Sequence, residues 1–368
     1  MRMFYLVCLV WNASLCFYDT AQADSPWKIG MVLCLSGECA FDGHGALKGA
    51  QLAADELNKG EGVLGRKIQL VPEDTAEAVS GAKAVSAFQK LLLDPEIKYF
   101  IGPSWTPGGL ALAPLAARRP DLIITSPSLG AAEFHKAGDN IFNARGVDES
   151  ASRALARLAI DKGWLRVAIW SSQQPWEQAQ GNFFEAEFKK IGGEVTLKIE
   201  GLPTITQLKT EAAKVLASKP QAVFFSIVVQ QGIAAKALRQ LGSNLPIIAT
   251  YIGQTGIKEA QGALEGALMC TIANASPSFV ERFKNAYPEE KAVEAIPAIG
   301  YDALMMYAKA VTTAGSFETA KVGHELRRMN YKGESGSIKF DSEGGAIRET
   351  QFMLIVSDKQ APLELVSE

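Results

Sequence analysis

Short apolar runs of strand length alternate with helical patterns along almost the whole chain, and this alternation limits the possible folds more than any other feature. Residues 28–35 (KIGMVLCL) form a continuous apolar run that is typical of a buried strand. Residues 43–58 follow with apolar side chains at helical spacing, and the same pair of patterns recurs as far as residues 121–125 (DLIIT). Because such strands are apolar on both faces, the repetition predicts a mostly parallel sheet covered by helices on both sides.

The pattern starts again after residues 144–146, where we place a soft boundary between two α/β units. Residues 166–170 (RVAIW) and 222–227 (AVFFSI) are strand-like, and each is followed by a helical pattern. A chain of 368 residues is long enough for two domains. Ligands of open α/β sheets lie beyond the carboxyl ends of the strands, so candidate site residues should follow strands directly.

The N-terminus has the composition of a secretory signal peptide. Arg2 precedes an apolar run at residues 3–10, and residues 21–23 (AQA) have the spacing of a signal-peptidase site. We predict that residues 1–23 are removed on export to the periplasm. A membrane anchor is the alternative, but polar residues interrupt the run and it is short. A lipoprotein cleavage site at Cys16 is a second alternative.

Three cysteines remain after this cleavage, so at least one thiol is left unpaired. Cys34 and Cys39 are close enough in sequence to bridge a short loop, and buried, unpaired thiols are the alternative. Cys270 is the third. The chain has no C-x-x-C motif and only three histidines, so we expect no structural metal site and no thioredoxin-like chemistry.

Composition and motifs argue against nucleic acid as a partner and against catalysis. The formal net charge is −3 and no segment is strongly basic, so nucleic acid is not an expected partner. The sequence has no G-x-S-x-G, no H-E-x-x-H and no Walker loop. The histidines stand alone, and His135 is predicted to lie in an exposed loop. We therefore predict that the protein is not an enzyme.

A glycine pattern near the N-terminus comes close to a dinucleotide-binding fingerprint. Gly43, Gly45 and Gly49 give G-x-G-x-x-x-G, but about seven residues separate the strand end at Leu35 from the first glycine, whereas a nucleotide loop turns sharply into its helix. We expect no nucleotide cofactor and attribute Gly43 and Gly49 to close packing of the first helix. The loop before this helix contains Asp42, which is placed to reach a ligand.

The segment 101–109 (IGPSWTPGG) is the strongest candidate for a ligand contact. Thr106 followed by Pro107 is typical of a helix N-cap and a first-turn proline, so a helix should begin directly after a strand. The free N–H groups and the dipole of a helix N-terminus favour an anion such as a carboxylate. Ser104 and Trp105 belong to the same candidate site. The alternative is that Thr106 only caps its own helix.

Further candidates follow other strands in both units. Ser128 and the backbone around Gly130 follow the strand at 121–125, where an ordinary turn is the alternative. Trp176 follows the strand at 166–170, where its ring either forms one wall of the ligand site or packs in the core. Tyr251 follows a strand near residue 249 and offers a hydroxyl to a wet cleft.

Taken together, these segments resemble the periplasmic leucine/isoleucine/valine-binding protein family of ABC importers. The resemblance covers almost the whole mature chain and depends on the order and spacing of motifs that are weak one by one. The clearest are KIGMVLCLSG at 28–37, IGPSWT at 101–106, ITSPS at 124–128 and GYDALMMYAKA at 300–310.

The resemblance implies a type I periplasmic-binding-protein fold, an α/β architecture of two doubly wound parallel-sheet lobes joined by crossing hinge strands. Lobe 1 would comprise residues 24–144 and 274–330, and lobe 2 residues 145–273 and 331–368. It also implies a monomer that captures a small-molecule ligand by hinge closure and delivers it to an inner-membrane ABC permease, with no cofactor. A ligand-sensing subunit of a membrane signalling system is the alternative, because it would use the same fold and the same closure.

The resemblance also implies roles for the candidate residues. Thr106 corresponds to a serine that binds an amino acid α-carboxylate, and Ser128 supplies a carbonyl for the ammonium group. Gly130 keeps a ligand-binding amide but loses a threonine hydroxyl. Trp176 matches an aromatic wall, whereas Tyr251 aligns with the acidic residue that pairs with the ammonium group.

Compared with the family pattern, the residues of the carboxylate subsite are kept and those of the ammonium subsite are partly lost. We therefore predict an intact carboxylate subsite and a weakened ammonium subsite. A buried ammonium without an anionic partner is costly, so one hypothesis is a carboxylate ligand that lacks an α-amino group. Asp42, which lies where many members of the family have an aromatic residue, would restore the missing charge. An amino acid and another small organic acid therefore both remain open as ligands.

Overall fold

Two large sheets covered by helices, together with one small three-stranded sheet, organise the chain in a computed structural model that describes residues 25–77, 80–272, 274–290 and 292–363. The first stretch of elements comprises β1 (Trp27–Leu33), α1 (Ala40–Lys59), β2 (Ile68–Asp74), α2 (Ala82–Leu91), β3 (Tyr99–Ile101), α3 (Thr106–Ala117), β4 (Ile123–Ser126), α4 (Ala132–His135) and β5 (Ile141–Asn143). The second stretch comprises α5 (Glu149–Asp161), β6 (Arg166–Ser172), α6 (Pro175–Lys190), β7 (Glu194–Gly201), α7 (Lys209–Ala217), β8 (Ala222–Ser226), α8 (Gln231–Gln240), β9 (Ile247–Ala249), α9 (Gln254–Ala260) and β10 (Leu268–Thr271). The last stretch comprises α10 (Pro277–Ala286), α11 (Ala295–Ala314), α12 (Thr319–Arg328), β11 (Asn330–Gly333), β12 (Gly336–Phe340), β13 (Ala346–Ile347), β14 (Gln351–Val356) and β15 (Lys359–Pro362).

The first sheet is parallel, with the strand order β2-β1-β3-β4-β5. All of its strands except the edge strand β2 are largely buried, so helices cover both faces and the side chains form two hydrophobic clusters. Helices α10, α11 and α12 return from later in the chain and pack on one face, in the same cluster as β1 and α1. We call this part of the molecule the first unit.

The second sheet has the order β15-β14-β10-β9-β8-β6-β7, in which β6 to β10 run parallel and β14 is antiparallel to β10. Helices α5 to α9 accompany it, and two further clusters fill the space beneath them. We call this part the second unit. The predicted α/β fold with two parallel-sheet units is confirmed.

Within the described residues the chain passes between the units three times: between β5 and α5, between β10 and α10, and between β13 and β14. The guanidinium of Arg348 donates to the carbonyl oxygen of Ala144 through Nε at 3.0 Å and Nη2 at 2.6 Å, which ties the first crossing to the third. Before the third crossing, Ile338, Phe340 and Ala346 pack in the core of the first unit. The lobe boundaries given above stay a prediction.

Close packing explains the glycines of the first helix. A Cβ on Gly43 would lie 1.7 Å from the carbonyl oxygen of Cys34, and one on Gly49 would lie 1.8 Å from that of Pro297 in α11. Side chains at these positions would therefore push α1 away from β1 and α11. The interpretation of Gly43 and Gly49 as packing residues is confirmed.

Cys34 and Cys39 form a disulfide between the end of β1 and the start of α1, whereas Cys270 is free and buried. Of the two alternatives left open by the sequence, the disulfide is therefore the one observed. The prediction for His135 was wrong, because its side chain is only 2% exposed at the end of α4. Burial also lowers the pKa of this imidazole.

No helix among the described residues is long and apolar enough to cross a membrane. The predicted signal peptide, residues 1–23, lies outside the described residues.

Candidate functional site

A cavity of about 70 Å³ lies between the two units, where β1, β3 and β4 of one sheet and β6, β8 and β9 of the other end. All eight residues predicted from the sequence line it: Asp42, Ser104, Trp105, Thr106, Ser128, Gly130, Trp176 and Tyr251. The lining is completed by Pro107, Leu129, Arg145, Gln174, Glu177, Val228 and Ile296. The loops that follow separate strands thus converge on one space.

Thr106 begins α3, but it is not the N-cap, so that part of the prediction was wrong. Trp105 is the N-cap residue and has an extended backbone, while Thr106 is the first helical residue and its side chain is 4% exposed. Trp105 has no side-chain hydrogen bond that caps the helix, and the turn that leads into α3 is held by a partner from elsewhere in the chain.

The carboxyl group of Glu77 supplies that partner. Its Oε1 accepts the backbone N–H groups of Ser104 and Trp105, both at 2.6 Å. Burial raises the pKa of Glu77 to about 8, although these two hydrogen bonds oppose the shift. Glu77 therefore holds the two residues that directly precede the first helical residue. The Thr106 hydroxyl and the N-terminal end of α3, with its dipole, remain for the ligand.

Serine hydroxyls tie the first wall of the cavity together. The Ser128 hydroxyl donates to the carbonyl oxygen of Ser104 at 2.7 Å, and the Ser104 hydroxyl accepts the backbone N–H of Cys34 at 3.0 Å. These bonds hold the loops after β1, β3 and β4 in register. The side chain of Ser128 thus positions the wall.

Trp105 and Asp42 form the next part of the same wall. The indole Nε1 of Trp105 donates to Asp42 Oδ2 at 2.7 Å, and the ring packs against the disulfide of Cys34 and Cys39. Burial raises the pKa of Asp42 to about 7; the nearby Glu294 adds to the shift, while the bond from Trp105 opposes it. Asp42 lies in the first turn of α1, not in the loop that the sequence predicts.

Trp176 closes over Gly130 from the second unit. Its Nε1 donates to Asp148 Oδ2 at 2.8 Å, and a Cβ on Gly130 would lie 2.2 Å from that nitrogen and 2.5 Å from the same carboxylate oxygen. A threonine would therefore not fit at position 130 in this arrangement. Trp176 lines the cavity as predicted.

Arg145 also lines the cavity, although it was not predicted from the sequence. It pairs with the buried carboxylate of Asp148, and its guanidinium carbon lies 5.9 Å from the centre of the Trp176 ring. The signal that would have found it is positional, since Arg145 follows β5 just as the other candidates follow their strands. It brings a positive charge to the cavity.

Glu177, also missed, is buried in the second wall at the start of α6. Its Oε1 accepts the backbone N–H of Val228 at 2.8 Å, and Ser226 donates its hydroxyl to the Glu177 carbonyl oxygen. Burial raises the pKa of this carboxyl to about 7. Glu177 therefore fixes the loop after β8 against α6.

Tyr251 reaches from the second unit to an acid of the first. Its hydroxyl donates to Glu294 Oε2 at 2.6 Å, and Glu294 Oε1 accepts the backbone N–H of Gln254 at 2.8 Å. Burial, followed by the charges of Glu294 and Asp42, raises the pKa of Tyr251 well above its ordinary value. Glu294 immediately precedes α11 and does not line the cavity, so no pattern around the strands points to it.

Comparisons with known proteins agree with this architecture. A family model described as periplasmic binding protein matches residues 26–360. The Leu/Ile/Val-binding protein BraC3 of Rhizobium johnstonii is 27% identical over 324 residues, which cover 84% of each chain.

Two solved structures share the fold over nearly their full length. The leucine binding protein LivK of Thermotoga maritima gives a TM-score of 0.83 at 25% identity, covering 92% of this chain and 97% of that one. A solute binding protein of an ABC transporter from R. palustris was solved in complex with benzoate. It gives a TM-score of 0.83 at 18% identity, covering 92% of this chain and 95% of that one. The two-lobed fold implied by the sequence resemblance is confirmed.

Proposed function

The chain belongs to the periplasmic binding protein family, and we propose that it captures a small organic carboxylate between its two units as the solute-binding component of an ABC importer. The observation that carries this proposal is the convergence of all eight predicted residues, from both units, on one cavity. A site divided between two units suits capture by closure, because closing completes it. Export to the periplasm, a monomeric state and an ABC permease as partner are parts of the same proposal.

The charges around the cavity favour a ligand with both a carboxylate and a hydrogen-bond donor, and an amino acid is the first candidate. Thr106 at the start of α3 and the guanidinium of Arg145 suit the carboxylate. Asp42 lines the cavity, and Glu294 lies close enough to influence its pKa. Glu294 and the ionised form of Asp42, whose pKa is raised to about 7, supply the negative charge that Tyr251 lacks.

An aromatic acid without an amino group is the second candidate. Trp105, Trp176 and Tyr251 all line the cavity, and aromatic rings pack favourably on one another. The solute binding protein from R. palustris was solved with benzoate. This candidate needs only the carboxylate contacts.

A thermal-shift screen of residues 24–368 against amino acids, aliphatic acids and aromatic acids tests the proposal. A ligand at about 100 times its Kd stabilises the folded state by roughly 2.7 kcal/mol. For a chain of this size the melting temperature should rise by up to about 4 °C. If none of these compounds raises it, the proposed function is wrong.

Replacing Thr106 by alanine should weaken a carboxylate ligand found in the screen by roughly tenfold, because a charge-assisted hydrogen bond is lost. The affinity of the corresponding amide, which carries no charge at that position, should change less. Thr313→Ala, an exposed threonine near the end of α11, is the matched control. Equal losses for acid and amide, or no loss, would mean that Thr106 serves only to begin α3.

A further inference from the structure

The only hydrogen that the Tyr251 hydroxyl can donate goes to a residue outside the lining of the ligand cavity. It is donated to Glu294 Oε2 at 2.6 Å, and Glu294 is not among the residues that line the cavity. A phenol has one O–H hydrogen and also accepts hydrogen bonds through its oxygen. What Tyr251 presents to a ligand is therefore its oxygen as an acceptor.

The local backbone holds this arrangement in place. Gly253 makes room for the phenol, because a Cβ there would lie 2.5 Å from the Tyr251 hydroxyl oxygen. The other carboxylate oxygen of Glu294 accepts the N–H of Gln254 at 2.8 Å, which begins α9. Glu294 thus binds two donors from the second unit and has little freedom to rotate away from the tyrosine.

The charge distribution makes the phenol oxygen a better acceptor. A carboxylate that takes the phenolic hydrogen increases the electron density on the oxygen, as hydrogen bonds in a chain polarise one another. Asp42 adds a second acid near the tyrosine. Arg145 is the opposing cation, but the buried carboxylate of Asp148 pairs with it and offsets its charge.

We propose that Tyr251 and Glu294 act as one subsite for a hydrogen-bond donor of the ligand, with Tyr251 as the contacting residue and Glu294 as a positioning residue behind it. This inference rests on the proposed function, since it assumes that the cavity holds a small carboxylate. It adds that the ligand carries an ammonium, N–H or O–H group in addition to its carboxylate. Glu294 determines specificity without touching the ligand.

Matched pairs of probes separate this subsite from general effects on closure. Leucine is paired with 4-methylpentanoate, phenylalanine with 3-phenylpropanoate, and 4-hydroxybenzoate with benzoate; each pair differs by one donor. Affinities are measured by isothermal titration calorimetry on the wild type, Tyr251→Phe and Glu294→Gln. Glu289→Gln is the control, because its carboxylate pairs with Lys48 at the surface and lies away from the cavity.

We expect the wild type to prefer the donor-bearing member of at least one pair. Tyr251→Phe should weaken that member by roughly ten- to a hundredfold, as for other hydrogen bonds to charged groups, and should change the donor-free member less than about threefold. Glu294→Gln should reduce the same preference, and Glu289→Gln should leave it unchanged.

Three results would overturn the inference, and they differ in what they say about the proposed function. If both variants weaken both members of a pair equally, Glu294 and Tyr251 only hold the units closed, and the proposed function stands. If the wild type prefers the donor-free members, the subsite is absent, yet the cavity still binds carboxylates. If the wild type binds no probe and the wider screen also fails, the inference and the proposed function fall together.

Discussion

At the scale of single residues, the walls of the cavity depend on desolvated carboxyl groups that accept N–H groups from the backbone or from a tryptophan ring. Asp42, Glu77 and Glu177 all have a raised pKa because burial disfavours the charged form. Each one also accepts an N–H group that holds a loop in place. The same residues that shape the site therefore connect its stability to pH.

Glu77→Gln should change the pH dependence of stability. The pKa of Glu77 is raised from 4.5 to about 8, so between these values the folded state binds more protons than the unfolded state. Stability therefore falls as pH rises through this range. Glutamine keeps an oxygen for the two amides and cannot ionise, so the variant should match the wild type near pH 4 and exceed its unfolding free energy at pH 9 by at least about 1 kcal/mol.

Chemical denaturation at both pH values measures this difference. Glu61→Gln is the control, because this side chain is exposed. A Glu77→Gln variant that is no more stable than the wild type at pH 9 would show that ionisation of Glu77 costs the fold nothing.

Single residues were also the hardest to predict from the sequence. Thr106, Trp176 and Tyr251 were found because they directly follow strands. Glu77 and Glu294 were not, because their roles depend on amides and a hydroxyl that are distant in sequence. Such pairings arise from tertiary packing and leave no local pattern.

At the scale of elements, the ends of strands determine where the site lies. The strands β1, β6 and β8 were predicted because each contains a continuous run of apolar side chains, which is typical of a buried strand. The patterns do not predict α4, α9, β5, β11, β13 or β15, which have two to seven residues and are too short to show a period. The cavity was still located correctly, because it lies at the ends of strands that were predicted.

The disulfide between β1 and α1 is expected to stabilise this corner of the site. Replacing both Cys34 and Cys39 by serine removes a short covalent loop, with an expected loss of about 2 kcal/mol in unfolding free energy. Trp105 packs against the disulfide, so ligand affinity should fall as well.

Melting curves with and without a thiol reductant, together with ligand titration, check this prediction. The double variant should melt below the wild type and be insensitive to reductant, which makes it the control for reduction itself. If the double variant retains the stability and affinity of the wild type, the disulfide contributes nothing to the corner that holds Asp42 and Trp105.

At the scale of the whole molecule, two units face each other across the cavity, and the described part of the chain crosses between them three times. Two of the contacts between them lie beside the cavity: Tyr251 donates to Glu294, and Trp176 lies over Gly130. The sequence indicates two units through the restart of the strand–helix pattern. It does not indicate how closely the two units approach each other. That distance depends on Gly130, where the absence of a side chain leaves room for Trp176.

The most direct test of the account is a calorimetric titration of Gly130→Ala with the strongest ligand from the screen. An added Cβ would lie 2.2 Å from Trp176 Nε1, so the units cannot close fully while each unit remains folded. We expect affinity to fall by roughly tenfold or more, as overpacking commonly costs 1–3 kcal/mol. Gly201→Ala is the control, because nothing lies within 4 Å of its added carbon. A Gly130→Ala variant that binds as tightly as the wild type would contradict a ligand site completed by closure of the two units.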